Sequence, residues 1–379
     1  MQLSIKSLLG SVLLAAMPLM FTSCEGTLDD IFGEWDKPAP SAETPSGDGS
    51  STINATAITL DQTMKVIKLG GDALTIKVTF TPSDATDKSV TWTSKDPNIA
   101  TVENGVVTPK ALGITTITAK SGDLTATCEV FVGNEVTLSN ANYTANDYDI
   151  LKGNIGDSNF SIPDGFHVAF DGLNATNTIS CKGDATIYLI DGKTNTVTAP
   201  ENYYAGIQIG GEGTTLTINA ETEGTGTLTA KGGSGGAGIG VGYFVSSSRG
   251  AITINGGTIN ATGGSGAAGI GTGKAEYYDK TCGDITINGG TVTAKGGDNA
   301  AGIGMGYTDI GKSNTCGAIT ITADVTSVTS IKGSGSPYSI GKGEYLSGGT
   351  QACGTIKIGG EVKAQSQFTG DTYTYTPAP

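Results

Sequence analysis

Ile252-Thr-Ile-Asn-Gly-Gly-Thr-Ile-Asn-Ala-Thr-Gly-Gly264, followed by Ala268-Gly-Ile-Gly271, recurs as Ile285-Thr-Ile-Asn-Gly-Gly-Thr-Val-Thr-Ala-Lys-Gly-Gly297 and Ala301-Gly-Ile-Gly304. Self-similarity of this kind marks a stack of repeats rather than one globular core. Looser copies begin at Leu216, Ile319 and Ile356, and Val168-Ala-Phe170 and Ile187-Tyr-Leu189 read as two degenerate ones. Each unit holds three very short segments, such as Ile252–Ile254, Thr258–Ala261 and Gly269–Gly271, with Gly-rich corners between them. Three strands and three turns make one coil of a right-handed parallel β-helix. A single coil cannot bury its apolar face, so neighbouring coils must stack.

Stacking predicts three internal ladders. The first is Leu216, Ile252, Ile285, Ile319 and Ile356, and the second is Ile218, Ile254, Ile287, Ile321 and Ile358. Ile207, Ile239, Ile270, Ile303 and Ile340 form the third. Thr between paired Ile residues then points outward, because side chains alternate along a strand. Asn219, Asn255 and Asn288 share a corner where amides can stack and bond their copies. Seven units at roughly 4.8 Å each predict a rod on the order of 34 Å. A propeller of small sheets is the alternative, and single Ile-x-Ile strands fit it less well.

Length varies mainly at one corner, after each Gly-Ile-Gly-x-Gly. The loops are 243–249, 274–282, 307–316 and 344–353, and stacking places them in a row. Rigid scaffolds carry function on such loops. The row contains Tyr243, Phe244, Tyr277, Tyr278, Tyr307 and Tyr345. A tyrosine offers a flat apolar face and a hydroxyl, which suits the CH faces and OH rims of sugars. These six are the candidate ligand-binding residues, and their bland reading is packing over the coil edges.

Chemistry beyond binding finds little support. Cys282, Cys316 and Cys353 occupy one repeat position, which reads either as a ladder of small buried thiols or as a disulfide in an exported protein. With a single His (His167) and cysteines tens of residues apart, no metal site is expected. A lyase would need charge neutralisation at its substrate, and Arg249 is the only arginine. An inverting hydrolase needs carboxylates roughly 6.5–9.5 Å apart. Asp279, Asp284 and Asp309 are candidates on neighbouring coils, equally well read as solvated loop residues. No catalytic residue and no cofactor is assigned.

Upstream, residues 55–133 read as about seven short strands, among them Ala57–Leu60, Leu74–Phe80, Val90–Thr93 and Gly105–Thr108, an immunoglobulin-like sandwich by count. Asn104-Gly105 is a tight-hairpin signal, since both residues accept positive φ. Trp92 is the expected core anchor, and Cys128, alternating with Ala126 and Val130, a buried thiol. The run Val90-Thr-Trp-Thr-Ser-Lys-Asp-Pro-Asn-Ile-Ala-Thr-Val102 with Asn104-Gly-Val-Val-Thr108, Gly113 and Ile117-Thr-Ala119 closely resembles the bacterial Ig-like group 2 domain. That resemblance implies a spacer or adhesive module and brings no catalytic residues. The junction near Gly133 reads as a crossover between two self-contained cores. Residues 136–379 resemble, in repeat style, the Gly-Ile-Gly-rich surface β-helix proteins of gut bacteria, which implies an adhesive or carbohydrate-binding role.

At the other end, Lys6 precedes an apolar run from Leu8 to Leu19, too short for a bilayer span of about 20 residues and laid out as a secretory signal. Thr22-Ser23-Cys24 resembles a bacterial lipobox, which implies diacylation of Cys24 and removal of the preceding peptide. Residues 25–54, poor in large apolar side chains and rich in Pro, Gly, Ser and Asp, read as a tether. Glu25, Asp29 and Asp30 resemble the surface-export signal of Bacteroidetes lipoproteins. With 22 Lys and Arg against 36 Asp and Glu, the net charge of −14 argues against nucleic acid or an anionic membrane as a partner.

The sequence therefore predicts an all-β, surface-exposed outer-membrane lipoprotein: an Ig-like β-sandwich as spacer, then a right-handed parallel β-helix as head. Its expected partner is a glycan or a host or bacterial surface ligand, and its membrane contact is the N-terminal lipid alone. The alternatives are a structural surface or matrix component without a discrete ligand and, behind it, a polysaccharide-degrading β-helix enzyme.

Overall fold

The computed structural model describes residues 52–201, 203–245 and 250–378. Cys24, Arg249 and most of the 25–54 tether lie outside the described residues. No helix among the described residues is long and apolar enough to cross a membrane.

Two antiparallel pairings build the sandwich around Gly113–Ser121, which pairs with Thr91–Ser94 on one side and with Leu124–Leu138 on the other. Facing them, Ala100–Glu103 and Val106–Pro109 form a hairpin closed by Asn104 and Gly105, with φ of 50° and 80°. Both turn residues are left-handed, as a two-residue turn between right-twisted strands requires. The expected strand Leu74–Phe80 is divided. Leu74 pairs with Val107, while Val78 pairs with Leu60 in the opposite sheet. Between them, Ile76 N donates to Gly105 O and Lys77 N to Asp61 Oδ1, so both strand ends stay satisfied through the crossing. Trp92 is half-buried and packs against both apolar clusters of the sandwich, a wedge between them rather than a fully enclosed anchor.

The β-helix follows without a break. Leu124–Leu138 completes the sandwich with its first part and starts the first β-helix face with its last, where Asn134–Leu138 pairs in parallel with Asp149–Gly153. Parallel pairs then run through Phe166–Ala175, Ala185–Leu189, Thr215–Ala220, Ala251–Ile254, Ile285–Ile287, Ile319–Ile321 and Ile356–Ile358. The stack therefore begins two coils before the first recognisable repeat. All three predicted ladders are in register and buried. The degenerate copy at Ile187 is displaced: it stacks on Ile218, and Ala185 stacks on Leu216. A slip of two residues keeps the same side chains inward, so alternation alone could not detect it.

The last glycine of Ala-Gly-Ile-Gly shows why the repeat is so narrow in sequence. Gly240, Gly271 and Gly304 have φ of 140°, 133° and 123°. A Cβ on Gly240, Gly271 or Gly304 would strike the carbonyl of the equivalent glycine on the next coil. Both the dihedral and the close approach exclude larger residues. The far end is closed by Glu361–Lys363 and Thr372–Tyr375, antiparallel to the last strands of two faces, and by Phe368, which is buried against the core. These segments cover edges that would otherwise template association.

Contrary to the sequence reading of two self-contained cores, the sandwich and the β-helix share buried contacts. Met64, Val66 and Phe131 of the sandwich share one buried cluster with Ile150, Ala169 and Tyr188, which project from the outer side of the first β-helix face. Glu221, almost fully buried, accepts from Val66 N at 2.7 Å, Asp191 N at 3.0 Å and Lys65 Nζ at 2.8 Å. The sandwich thus lies against several coils, and its docking contacts come from residues more than 150 positions apart in the chain.

Candidate functional site

The loop row is more ordered than its sequence implies. Lys280–Cys282, Ser313–Cys316 and Thr350–Cys353 pair in parallel as a fourth column, and Ala275, Thr308 and Tyr345 bridge in register. The loops 274–282, 307–316 and 344–353 therefore stack as extra short strands, a feature hidden by their lack of alternation. Cys282, Cys316 and Cys353 stack as expected, and all are free thiols. The pKa of the Cys353 thiol is raised, chiefly by its hydrogen bond with Cys316 and then by burial.

Four of the six candidate aromatics converge. Tyr243, Phe244, Tyr277 and Tyr278 line one cleft of about 520 Å³ together with Ser234, Ser265, Lys274 and Glu276. Its fifth ring, Tyr203, is not legible in the loop pattern, because it lies before the third face, in Tyr203-Tyr204-Ala205-Gly206-Ile207, whereas the aromatic row follows that face. Two adjacent tyrosines directly ahead of a Gly-Ile repeat were the available signal. Tyr203 stacks on Tyr243 with ring centres 4.9 Å apart, and Phe244 meets both edge-on. Tyr277 stands edge-on to Tyr243 at 5.7 Å. Tyr243 is the buried floor of the group, at 5% exposure, and packs on Gly235, where a Cβ would strike its ring. Phe244, Tyr277 and Tyr278 present 48%, 62% and 45% of their surfaces to solvent.

Polar groups hold these rings in place. Tyr243 donates its hydroxyl proton to Glu276 Oε2 at 2.5 Å, and Lys274 pairs with the same oxygen at 2.5 Å. The Glu276 carboxyl is therefore held below the usual range, first by Lys274 and then by the Tyr243 hydroxyl. Burial pushes the Tyr243 phenol up, with Glu276 adding to it. Beneath the cleft Lys280 is 1% exposed and donates to the carbonyls of Tyr243 and Val245. Burial lowers its pKa to about 8. Its ammonium also lies 5.5 Å from the Tyr278 ring centre and 5.9 Å from that of Tyr243, a cation–π arrangement.

Tyr307 and Tyr345 stand apart from the cleft. Tyr307 is half-buried, with Lys274 Nζ 5.5 Å from its ring centre. Tyr345 turns back on its own loop, donating to Gly349 O at 2.6 Å and accepting from Gly349 N at 2.8 Å. Its hydroxyl is consumed by that closure. The three aspartates weighed as a catalytic cluster each serve a backbone amide: Asp279 that of Ser313, Asp284 that of Ala318 and Asp309 that of Ile310.

Residues 54–130 match the bacterial Ig-like domain (group 2), and residues 252–274 and 285–307 match the β helix repeat family. An Ig-like virion protein of Serratia phage KSP90 is 40% identical over 87 residues, covering 22% of this chain and 33% of that protein. Two uncharacterized proteins of Clostridium acetobutylicum are 40% identical over 90 residues and 42% over 66. Those matches cover 22% and 16% of this chain, and 9% and 17% of those proteins. Matching segments thus span a third or less of the relatives' own lengths. The chain combines a bacterial Ig-like domain with β-helix repeats, modules consistent with a surface or virion-type protein.

Proposed function

We propose that this protein is a lipid-anchored surface adhesin whose β-helix binds glycans in the aromatic cleft, with the Ig-like domain as a rigid spacer. The observation that carries this reading is the exposure of Phe244, Tyr277 and Tyr278 beside Glu276, Lys274 and two serines in one concave site. Apolar ring faces with a few fixed polar groups are the usual makeup of a small-molecule site. The rings are also held in place before binding, through Tyr243, Glu276 and Lys280, which lowers the ordering cost of association. The phage relative is named an Ig-like virion protein, and an Ig-like module within a larger protein agrees with a spacer role here.

A glycan array probed with the mature chain should give discrete hits. For a hit, the Tyr277→Ala, Phe244→Ala double variant should weaken binding by about 1–3 kcal/mol, the range seen when flat rings stack on aromatics. Circular dichroism should be unchanged, because both side chains lie outside the buried ladders. Full affinity in the folded double variant would remove the cleft from consideration.

A further inference from the structure

A second cleft, of about 420 Å³, opens directly beside the first. The two share one ridge: consecutive residues Tyr203 and Tyr204 line the first and second cleft respectively, and so do Phe244 and Val245. That ridge is fixed at two points. Gln208, buried on the third face, accepts from Gly242 N at 2.8 Å, and Lys280 binds the carbonyl of Val245 at 2.7 Å. The separation of the clefts is therefore built in rather than set by a free loop.

The chemistry of the two clefts differs. In the first, the cation Lys274 is neutralised by Glu276 at 2.5 Å. In the second, no Asp or Glu is among the described lining residues. Its cation, Lys182, donates to Ser180 Oγ at 2.9 Å and forms no ion pair among the described residues. The lining is otherwise hydroxyl and amide, from Ser161, Asn177 and Thr178, faced by the Tyr204 ring at 43% exposure. The Thr178 hydroxyl oxygen is withdrawn from solvent with no hydrogen-bond partner among the described residues, a state that polar groups rarely keep. An uncompensated cation beside hydroxyl groups and one open ring, on a chain of net charge −14, suits a single anionic group on an otherwise neutral chain. A polyanion would be repelled by the rest of the molecule.

We propose that the two clefts are subsites of one groove, the first stacking a neutral sugar ring and the second taking an anionic substituent, a carboxylate or a sulfate ester, at Lys182. This deepens the glycan-binding reading and rests on it. The two subsites extend over several coils, each rising roughly 4.8 Å, so the ligand is an oligosaccharide rather than a monosaccharide.

The test uses the mature chain on an array of matched oligosaccharides in neutral, carboxylate-bearing and singly sulfated forms, followed by titration calorimetry on the hits. Singly anionic members should bind roughly 2–5-fold more tightly than their neutral counterparts, the scale of one solvated charge pair. The advantage should shrink with salt, and Lys182→Gln should abolish it, bringing each singly anionic member to the affinity of its neutral counterpart measured on the same variant. Whether carboxylates or sulfates carry the gain identifies the source of the anion. Equal affinity for neutral and anionic members, or an anionic advantage that survives Lys182→Gln, would overturn the second subsite and leave the aromatic cleft standing. An array with no hits would overturn the glycan reading and this inference with it.

Discussion

Lys280 is the residue on which the cleft turns. A buried ammonium is costly, and here two backbone carbonyls and two ring faces offset part of that cost. Its pKa falls from 10.5 to about 8, so between those values the unfolded chain binds more protons than the folded one. Stability from this group therefore rises with pH through that window, and its penalty is fully present below pH 8. The urea midpoint of the wild type, measured relative to Lys280→Met, should accordingly increase between pH 7 and pH 10. A flat difference would place the proton elsewhere. Lys280→Met should also release the Tyr243–Val245 carbonyls and loosen the ridge between the clefts. The thiol column offers a second residue-level expectation. Cys353 is the least buried of its three members and stacks on Cys316, whereas Cys128 and Cys181 are buried in other parts of the molecule. Mild oxidation and peptide mapping should show a Cys316–Cys353 or Cys282–Cys316 link before any link to Cys128 or Cys181. A first link to Cys128 would contradict the coil register.

At the scale of elements, the repeat strands are set by sequence more fully than the segments between them. The Ile ladders and the amide ladder, with Asn255 donating to Asn219 at 2.8 Å and Asn288 to Asn255 at 2.9 Å, follow from periodicity because identical residues stack. The fourth column and the Ile187 offset do not, since neither alters which side chains point inward. Glu221 is another such element-level feature. It lies just past the strand Thr215–Ala220 and reads as an ordinary corner residue, yet its carboxylate joins the sandwich to the coils. Glu221→Ala leaves buried backbone amides unpaired and should destabilise the full chain by about 2–4 kcal/mol, an unpaired buried donor costing about 1–3. Thermal or urea unfolding of the full chain measures it, and an unshifted midpoint would show that the docking is not held by this carboxylate.

For the whole molecule, Leu124–Leu138 runs continuously through both architectures, so the sandwich and the β-helix share one strand. Phe131, flanked by Tyr148 and Tyr188 at 5.7 and 5.1 Å, would be bared by cutting at Gly133, so an isolated sandwich exposes an aromatic patch that the full chain covers. Anchoring is the other molecular-scale expectation. Cys24→Ala should abolish lipid labelling and release the protein from membrane fractions, because a buried acyl chain contributes roughly 0.8 kcal/mol per methylene. Membrane retention without a lipid label would refute the lipoprotein reading.

Sequence alone determined the all-β class, the stacking of coils, the in-register Ile and Cys columns and the Asn-Gly hairpin. Each depends on local dihedral preference or on a repeated residue meeting its own copy. Four of the cleft's five rings were also legible, because they recur after the same Gly-Ile-Gly corner. Tertiary structure alone decided that Tyr203 joins them, that Tyr345 closes on its own loop and that Glu221 clamps the sandwich to the coils. It alone placed Lys182 in a cleft with no carboxylate among its described lining residues. Those outcomes depend on where turns of differing length come to rest, and on contacts between residues far apart in the chain, for which periodicity carries no information.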